Sequence, residues 1–101
     1  MAKQTVMLEM NVLEEVAPTL RTLAHPVRLR ILDFLQHGER TVMEVARVIE
    51  KPQALTSHHL AIMRNNGVIA ARREGANVYY SVKLQAALGL LDCIRKAKAC
   101  E

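Results

Sequence analysis

The chain has 101 residues and a mass of 11.3 kDa, which is the size of one ordinary domain and too little for a second hydrophobic core. Hydrophobic residues make up 50% of the chain but aromatic residues only 3%, so the core must be built from aliphatic side chains, as in many helical proteins. The formal net charge of +4 suits either a polyanionic partner or a solvated basic surface, and the position of the charges has to decide between them.

Targeting and redox features set the expected location. No stretch reaches about 18 consecutive apolar residues, and the N-terminus lacks the pattern of a secretory signal peptide. We therefore expect a cytoplasmic protein without a membrane partner. Cys93 and Cys100 are too few for a disulfide framework and lack the CxxC spacing of a zinc or redox motif, so we expect reduced thiols.

The first third of the chain has helical periodicity. Apolar residues from Val6 to Leu23 recur at helical spacing with Pro18 among them, which predicts two short helices or one kinked helix. Pro26 suits the first position of the next helix, His25 is placed to cap it, and Gly38 supplies the stop.

A pair of short helices follows, joined by a turn of a few residues. Thr41, with Glu44 three positions later, has the capping-box pattern of a helix start, and this helix is predicted to end near Glu50. Pro52 marks the first turn of the next helix, which ends before Gly67. The inward face of this next helix is predicted to carry Thr56, Leu60 and Met63.

The pattern changes after Gly67. Residues 68–73 and 78–82 are short β-prone runs separated by residues 74–77, which predicts a β-hairpin. From Leu84 to the end the helical period returns. We find no repeat, low-complexity segment or linker, so residues 1–101 are predicted to form one domain whose terminal helical regions serve dimerisation.

The order of helix, short helix, turn, helix and basic hairpin is typical of a winged helix-turn-helix domain, in which the second helix of the pair enters the major groove of DNA. We therefore predict a dimeric, mainly α fold with a small β-hairpin wing. The outward face of that second helix is polar, small and basic, which suits contacts with bases and phosphates, although an ordinary solvated face has the same composition. The predicted DNA-contacting residues are Lys51, Gln53, Ala54, Ser57, His58, Arg64, Arg72, Arg73 and Asn77.

The adjacent histidines raise the alternative of a metal site. Neighbours on a helix point about 100° apart, so His58 and His59 are poorly placed to hold one ion. His59 borders the inward face and is predicted to be a partly buried packing residue bonded to the backbone, in preference to a ligand. His37 is expected near a helix C-terminus, where a cation is favoured.

Three segments resemble signatures of the ArsR/SmtB family of repressors. They are residues 23–32 (LAHPVRLRIL), residues 57–60 (SHHL), and residues 73–75 (REG) followed by Tyr79 and Tyr80. The resemblance covers about residues 10–83. It implies a dimeric winged-helix repressor that leaves its DNA operator when a metal, metalloid or redox signal binds.

The chain departs from the two common metal sites of that family. Thr41 and Met43 stand where metal-sensing members carry a cysteine pair, and residues 84–101 contain no histidine to match a site on the last helix. We therefore predict no metal ligand and no cofactor, and the effector stays unknown.

Cys93 and Cys100 are the remaining candidates for an effector site. They lie seven positions apart, hence about two turns and roughly 10 Å along one helix, too far to bridge within one chain. Either they pack as small hydrophobes in a dimer interface, or they respond to an oxidant or a metalloid across the antiparallel terminal helices of two subunits.

Other function classes find less support. The chain has no Gly-rich phosphate loop, HExxH, GxSxG or cofactor fingerprint, so we predict that it is not an enzyme. A winged-helix module used only for protein contact would keep the fold without a basic outward face. A regulator without small-molecule or metal sensing is the other alternative.

Overall fold

A computed structural model describes residues 6–99 of the chain. These residues form helices α1 (Met10–Leu23) and α2 (Pro26–Leu35), strand β1 (Arg40–Thr41), helices α3 (Val42–Ile49) and α4 (Gln53–Asn65), strands β2 (Ile69–Glu74) and β3 (Asn77–Val82), and helix α5 (Ala87–Ala99). The strands form one antiparallel sheet in the order β1-β3-β2. None of the described helices is long and apolar enough to cross a membrane.

The first two helices begin and end largely where the sequence predicts. Of the two alternatives for the N-terminal segment, two short helices or one kinked helix, a single helix is correct, because α1 passes through Pro18. The Thr22 hydroxyl donates a hydrogen bond to the Pro18 carbonyl oxygen at 3.0 Å. Pro26 occupies the first turn of α2, and His25 caps the helix by accepting a hydrogen bond at Nδ1 from the Val27 backbone N–H.

Helix α3 begins with the predicted capping box. The Thr41 hydroxyl oxygen accepts from the Glu44 backbone N–H at 3.3 Å, and the Thr41 N–H donates to the Glu44 carboxylate at 2.9 Å. A short strand that the sequence analysis did not predict precedes this helix. Arg40 and Thr41 form the short strand β1, paired with Tyr80 and Tyr79 of β3.

The core lies where α2, α3, α4 and the base of the hairpin meet. Thr56 is buried among apolar side chains, and its hydroxyl is paired because it donates to the Pro52 carbonyl oxygen at 2.9 Å. Each fully buried aliphatic side chain contributes about 1.5–3 kcal/mol relative to exposure. The largest fully buried side chains are Ile31, Leu32, Val45, Thr56, Leu60, Met63, Val68 and Ile69.

The hairpin and the last helix complete the fold. Glu74 pairs with Asn77 across a two-residue turn, and Gly75 has a φ of 64°, a conformation that glycine adopts without a steric penalty. Helix α5 begins at Ala87, three residues later than the predicted Leu84, after a short turn. Its first turns are anchored by the buried side chains of Ala87 and Leu91.

Candidate nucleic-acid interface

Helices α3 and α4 are joined by a tight turn of residues 50–52. Glu50 ends α3 in the left-handed conformation, with φ 58° and ψ 47°, and Pro52 directly precedes α4. The left-handed residue reverses the chain within a short distance, and apolar side chains of the two helices then pack on each other. With the hairpin that follows, this arrangement is a helix-turn-helix with a wing.

The two faces of α4 are divided as the sequence predicts. Thr56, Leu60 and Met63 are buried, while the opposite face is open to solvent. Leu55 is also exposed on α4, at 41%, and was not among the predicted contact residues. The predicted contact residues Gln53, Ala54, Ser57, His58 and Arg64 are all exposed.

This exposed face can make several kinds of contact with DNA. The Gln53 amide can donate and accept toward an adenine edge, and the Ser57 hydroxyl and the His58 imidazole can bond bases or phosphates. Ala54 leaves room for the helix to approach closely. Lys51, at the turn before α4, is exposed and adds a positive charge at the helix N-terminus.

The two arginines of the wing differ in their surroundings. Arg72 makes a bidentate ion pair with Glu39, through Nη2 to Oε1 at 2.7 Å and Nε to Oε2 at 3.1 Å, and it also pairs with Glu74. Its guanidinium lies over the Tyr79 ring, 5.1 Å from the centroid. Arg73, the next residue on β2, is exposed and makes no ion pair within residues 6–99.

These ion pairs stabilise the charged forms of both partners. The hydrogen bond from Arg72 lowers the pKa of Glu39, and the carboxylates of Glu39 and Glu74 raise the pKa of Arg72. Sequence reasoning missed Glu39, because 33 positions separate it from Arg72 and only the sheet brings the two together. Of the predicted wing residues, Arg73 and Asn77 are thus exposed without an ion pair, and Arg72 is already paired.

The structure places the histidines in different environments. His58 is exposed, whereas His59 is 6% exposed, as predicted for a packing residue. The predicted backbone partner is wrong, because Nδ1 of His59 accepts a hydrogen bond from Arg28 Nε at 3.2 Å. No group of three or more potential metal-ligating side chains converges among residues 6–99.

One of the two cysteines lies in the part of the chain that the structure describes. Cys93 is exposed on α5, and Cys100 lies outside the described residues. On the same helix Arg95 pairs with Asp33 of α2 at 2.8 Å and with Asp92 at 2.9 Å.

Helices α1 and α5 carry exposed apolar side chains beside their buried residues. Met10 is 67% exposed and Leu20 is 51% exposed on α1, and Ile94 is 41% exposed on α5. An open apolar cleft of about 170 Å³ lies between the two helices. It is lined by Val16, Thr19, Leu20, Leu23, Leu84, Ala86, Ala87 and Leu90.

Comparison with known proteins places this geometry among DNA-binding regulators. A family model described as "Bacterial regulatory protein, arsR family" matches residues 25–71, which run from the cap of α2 into β2. The transcriptional repressor PagR of Bacillus anthracis is 35% identical over 92 residues, a match that spans 87% of this chain and 92% of PagR. The regulator NmtR of Mycobacterium tuberculosis is 36% identical over 85 residues, which span 84% of this chain and 71% of NmtR.

A solved structure supports the same assignment of the fold. The homodimeric winged helix-turn-helix DNA-binding domain of Mb0332 from Mycobacterium bovis, described as a possible ArsR-family transcriptional regulator, matches with a TM-score of 0.77 at 30% identity. The match covers 98% of this chain and 91% of that one. The predicted winged helix-turn-helix fold is confirmed.

Proposed function

The chain belongs to the arsR family of bacterial regulatory proteins, and on that premise we propose that it is a transcriptional repressor that binds an inverted-repeat DNA operator as a homodimer. The observation that carries the proposal is the exposed face of α4, where Gln53, Ser57 and His58 stand opposite a buried apolar face. Such a face inserted in the major groove contacts base edges, while the groups at its rim contact phosphates.

Positive side chains at both ends of α4 and on the wing support the orientation in which the exposed face of α4 meets DNA. Lys51 precedes the helix, Arg64 lies in its last turn, and Arg73 extends from the wing. Each phosphate that they neutralise releases counterions from DNA, so binding should weaken as salt is raised. Arg72 can contribute only by exchanging Glu39 and Glu74 for a phosphate, which makes Arg73 the stronger candidate in the wing.

The apolar surface of α1 and α5 supports the homodimer. Exposed apolar side chains that line one cleft between two helices are typical of an interface. A two-fold axis through these helices would present the two copies of α4 to successive major grooves, roughly 34–36 Å apart. The relative Mb0332 is described as homodimeric, which is consistent with this arrangement.

Selection from a library of random DNA duplexes tests the binding proposal. We expect the purified chain to enrich an imperfect inverted repeat whose half-sites are centred about one helical turn apart. Sedimentation velocity on the free protein should report two chains, and on the complex two chains per selected duplex. A monomer at micromolar concentration contradicts the dimer. Enrichment of no sequence, with the protein folded, contradicts the operator and favours a module for protein contact.

Thiol sensing is a second proposal, favoured by the exposure of Cys93 on α5. Modification of a thiol at the subunit contact would shift the two subunits and alter the spacing of the paired α4 helices. A coupling of about 1–3 kcal/mol is enough to release DNA. The double variant Cys93→Ser, Cys100→Ser decides the matter, because it should stay bound when oxidant or arsenite releases the parent. Equal release of parent and variant shows that the two cysteines only pack.

A further inference from the structure

A partly buried cluster behind the exposed face of α4 joins three helices. Nδ1 of His59 accepts from Arg28 Nε at 3.2 Å, and Nη1 of the same guanidinium donates to the Thr22 carbonyl oxygen at 3.2 Å. The His25 ring lies edge-on to the His59 ring, with the centroids 4.9 Å apart. The cluster therefore connects the end of α1, the start of α2 and the middle of α4.

The hydrogen bond between Arg28 and His59 requires an uncharged imidazole. A guanidinium only donates and stays protonated at any ordinary pH, so Nδ1 of His59 can accept only while it carries no proton. Uptake of one proton from solvent forms an Nδ1–H bond on His59 and breaks the hydrogen bond. Two cations then stand in contact where a donor and an acceptor stood before.

The groups that face His59 all oppose its protonation. Burial, followed by the charge of Arg28 on α2, lowers the pKa of His59 below its usual value of 6.5. His25 before α2, His58 on α4 itself and Lys51 in the turn before α4 act in the same direction. Within the described part of the chain, no acidic group figures among the charges that shift this pKa.

The Arg28–His59 pair lies where it can affect the orientation of the side chains on the outer face of α4. His59 directly follows Ser57 and His58, so any rotation of α4 at His59 redirects both exposed side chains. Apolar packing by Leu60 and Met63 holds the helix in the core without a directional bond, whereas the bond to Arg28 is directional.

We propose that the Arg28–His59 pair positions α4 for sequence-specific DNA binding, and that protonation of His59 releases α4 so that specific affinity falls in mildly acidic solution. The inference rests on the proposed DNA-binding function. His59 is a positioning residue here, since it is buried and does not itself reach DNA.

Fluorescence anisotropy with two duplexes tests the proposal. One is the duplex selected by the parent protein, and the other is a scrambled duplex of equal length. The ratio of the two affinities is measured at about pH 7.5 and at a lower pH at which NMR shows His59 of the folded parent to be protonated. Changes in general phosphate attraction act on both duplexes and cancel in this ratio. We expect the ratio for the parent to fall about tenfold, the loss expected when one hydrogen bond to a charged group is broken.

Three variants separate positioning from simple stability. His59→Asn places an amide oxygen near the position of Nδ1 without a titratable group, so its ratio should stay within about twofold across the same pH change. His37→Asn is the matched control, an exposed histidine after α2 that should keep the full pH dependence of the parent. Arg28→Met removes the guanidinium charge, and the imidazole of His59, followed by NMR, should then titrate at higher pH than in the parent.

The outcomes distinguish this proposal from the function on which it rests. A parent that binds the selected duplex with a pH-independent ratio overturns the positioning role and leaves DNA binding intact. An unchanged pH dependence in His59→Asn overturns it as well, as does a His59 titration in Arg28→Met identical to that of the parent. If His59→Asn does not fold, the ratio of the parent across the pH range in which its own His59 titrates by NMR decides alone. Failure to select any duplex overturns both proposals.

Discussion

Replacement of Thr41 by alanine should measure how much the capping box contributes to the stability of the fold. Thr41→Ala removes the hydroxyl that accepts from the Glu44 N–H at 3.3 Å, and no other side chain in the described structure bonds that N–H. The N–H remains near the surface, where water can replace part of the lost bond, because both residues are only half-buried.

The expected magnitude follows from this geometry. Loss of a threonine N-cap costs about 1 kcal/mol, within a range of roughly 0.5–2 kcal/mol. In a domain of this size, about 1 kcal/mol corresponds to a decrease of about 4–8 °C in Tm. The reciprocal bond from the Thr41 N–H to Glu44 survives the substitution, since it uses the backbone of residue 41, so we expect a value near the middle of the range.

Thermal and guanidinium unfolding followed by circular dichroism provide the assay. Protein concentration must be the same for all variants, because the stability of a dimer depends on it. Thr41→Ser keeps the hydroxyl and is the matched control, expected to lie within about 0.5 kcal/mol of the parent. A Thr41→Ala variant as stable as the parent, or a Thr41→Ser variant as unstable as Thr41→Ala, refutes the assigned role of the hydroxyl.

Three further predictions concern charge, packing and pH. Glu39→Gln should remove one of the two carboxylates that compete with phosphate for Arg72, and so steepen the salt dependence of DNA binding measured by anisotropy, although the pair with Glu74 remains. An unchanged slope contradicts a competition between the Glu39 carboxylate and phosphate. Leu60→Ala should lower the free energy of unfolding by about 2–5 kcal/mol in guanidinium, because the Leu60 side chain is 0% exposed. A decrease of less than about 1 kcal/mol contradicts its place in the core. The pKa of His59 is lowered in the folded chain, so below about pH 6.5 the unfolded chain binds more protons than the folded one. The free energy of unfolding should therefore decrease as the pH falls below 6.5. A His59→Asn variant should lose that part of the pH dependence, and an unchanged profile contradicts the assignment.

Features set by local chemistry could be predicted from the sequence. Pro26 with the His25 cap, and Thr41 with Glu44, each satisfy backbone N–H groups within a few residues, so a short window of sequence contains the whole cause of the helix start. The two faces of α4 follow from helical spacing alone. These features were enough to predict the fold class and the candidate DNA surface from the sequence.

Features set by distant contacts could not be predicted in the same way. Strand β1 has two residues, too few for an alternating pattern, and it exists because β3 offers an edge to pair with. Arg72 meets Glu39 across 33 positions and His59 meets Arg28 across 31, and both contacts depend on the packed fold. The later start of α5 at Ala87 has the same origin, since the chain turns after β3 before Ala87 can enter the core.

The most direct test of DNA binding through α4 is the affinity of the double variant Ser57→Ala, His58→Ala for the selected duplex, compared with its affinity for a scrambled duplex. Both side chains are exposed, so the variant should unfold at the same temperature as the parent. We expect the preference for the selected duplex to fall by at least about tenfold, while the affinity for the scrambled duplex, which depends on Lys51, Arg64 and Arg73, changes much less. Retention of the full preference in a folded variant would contradict the placement of α4 in the major groove.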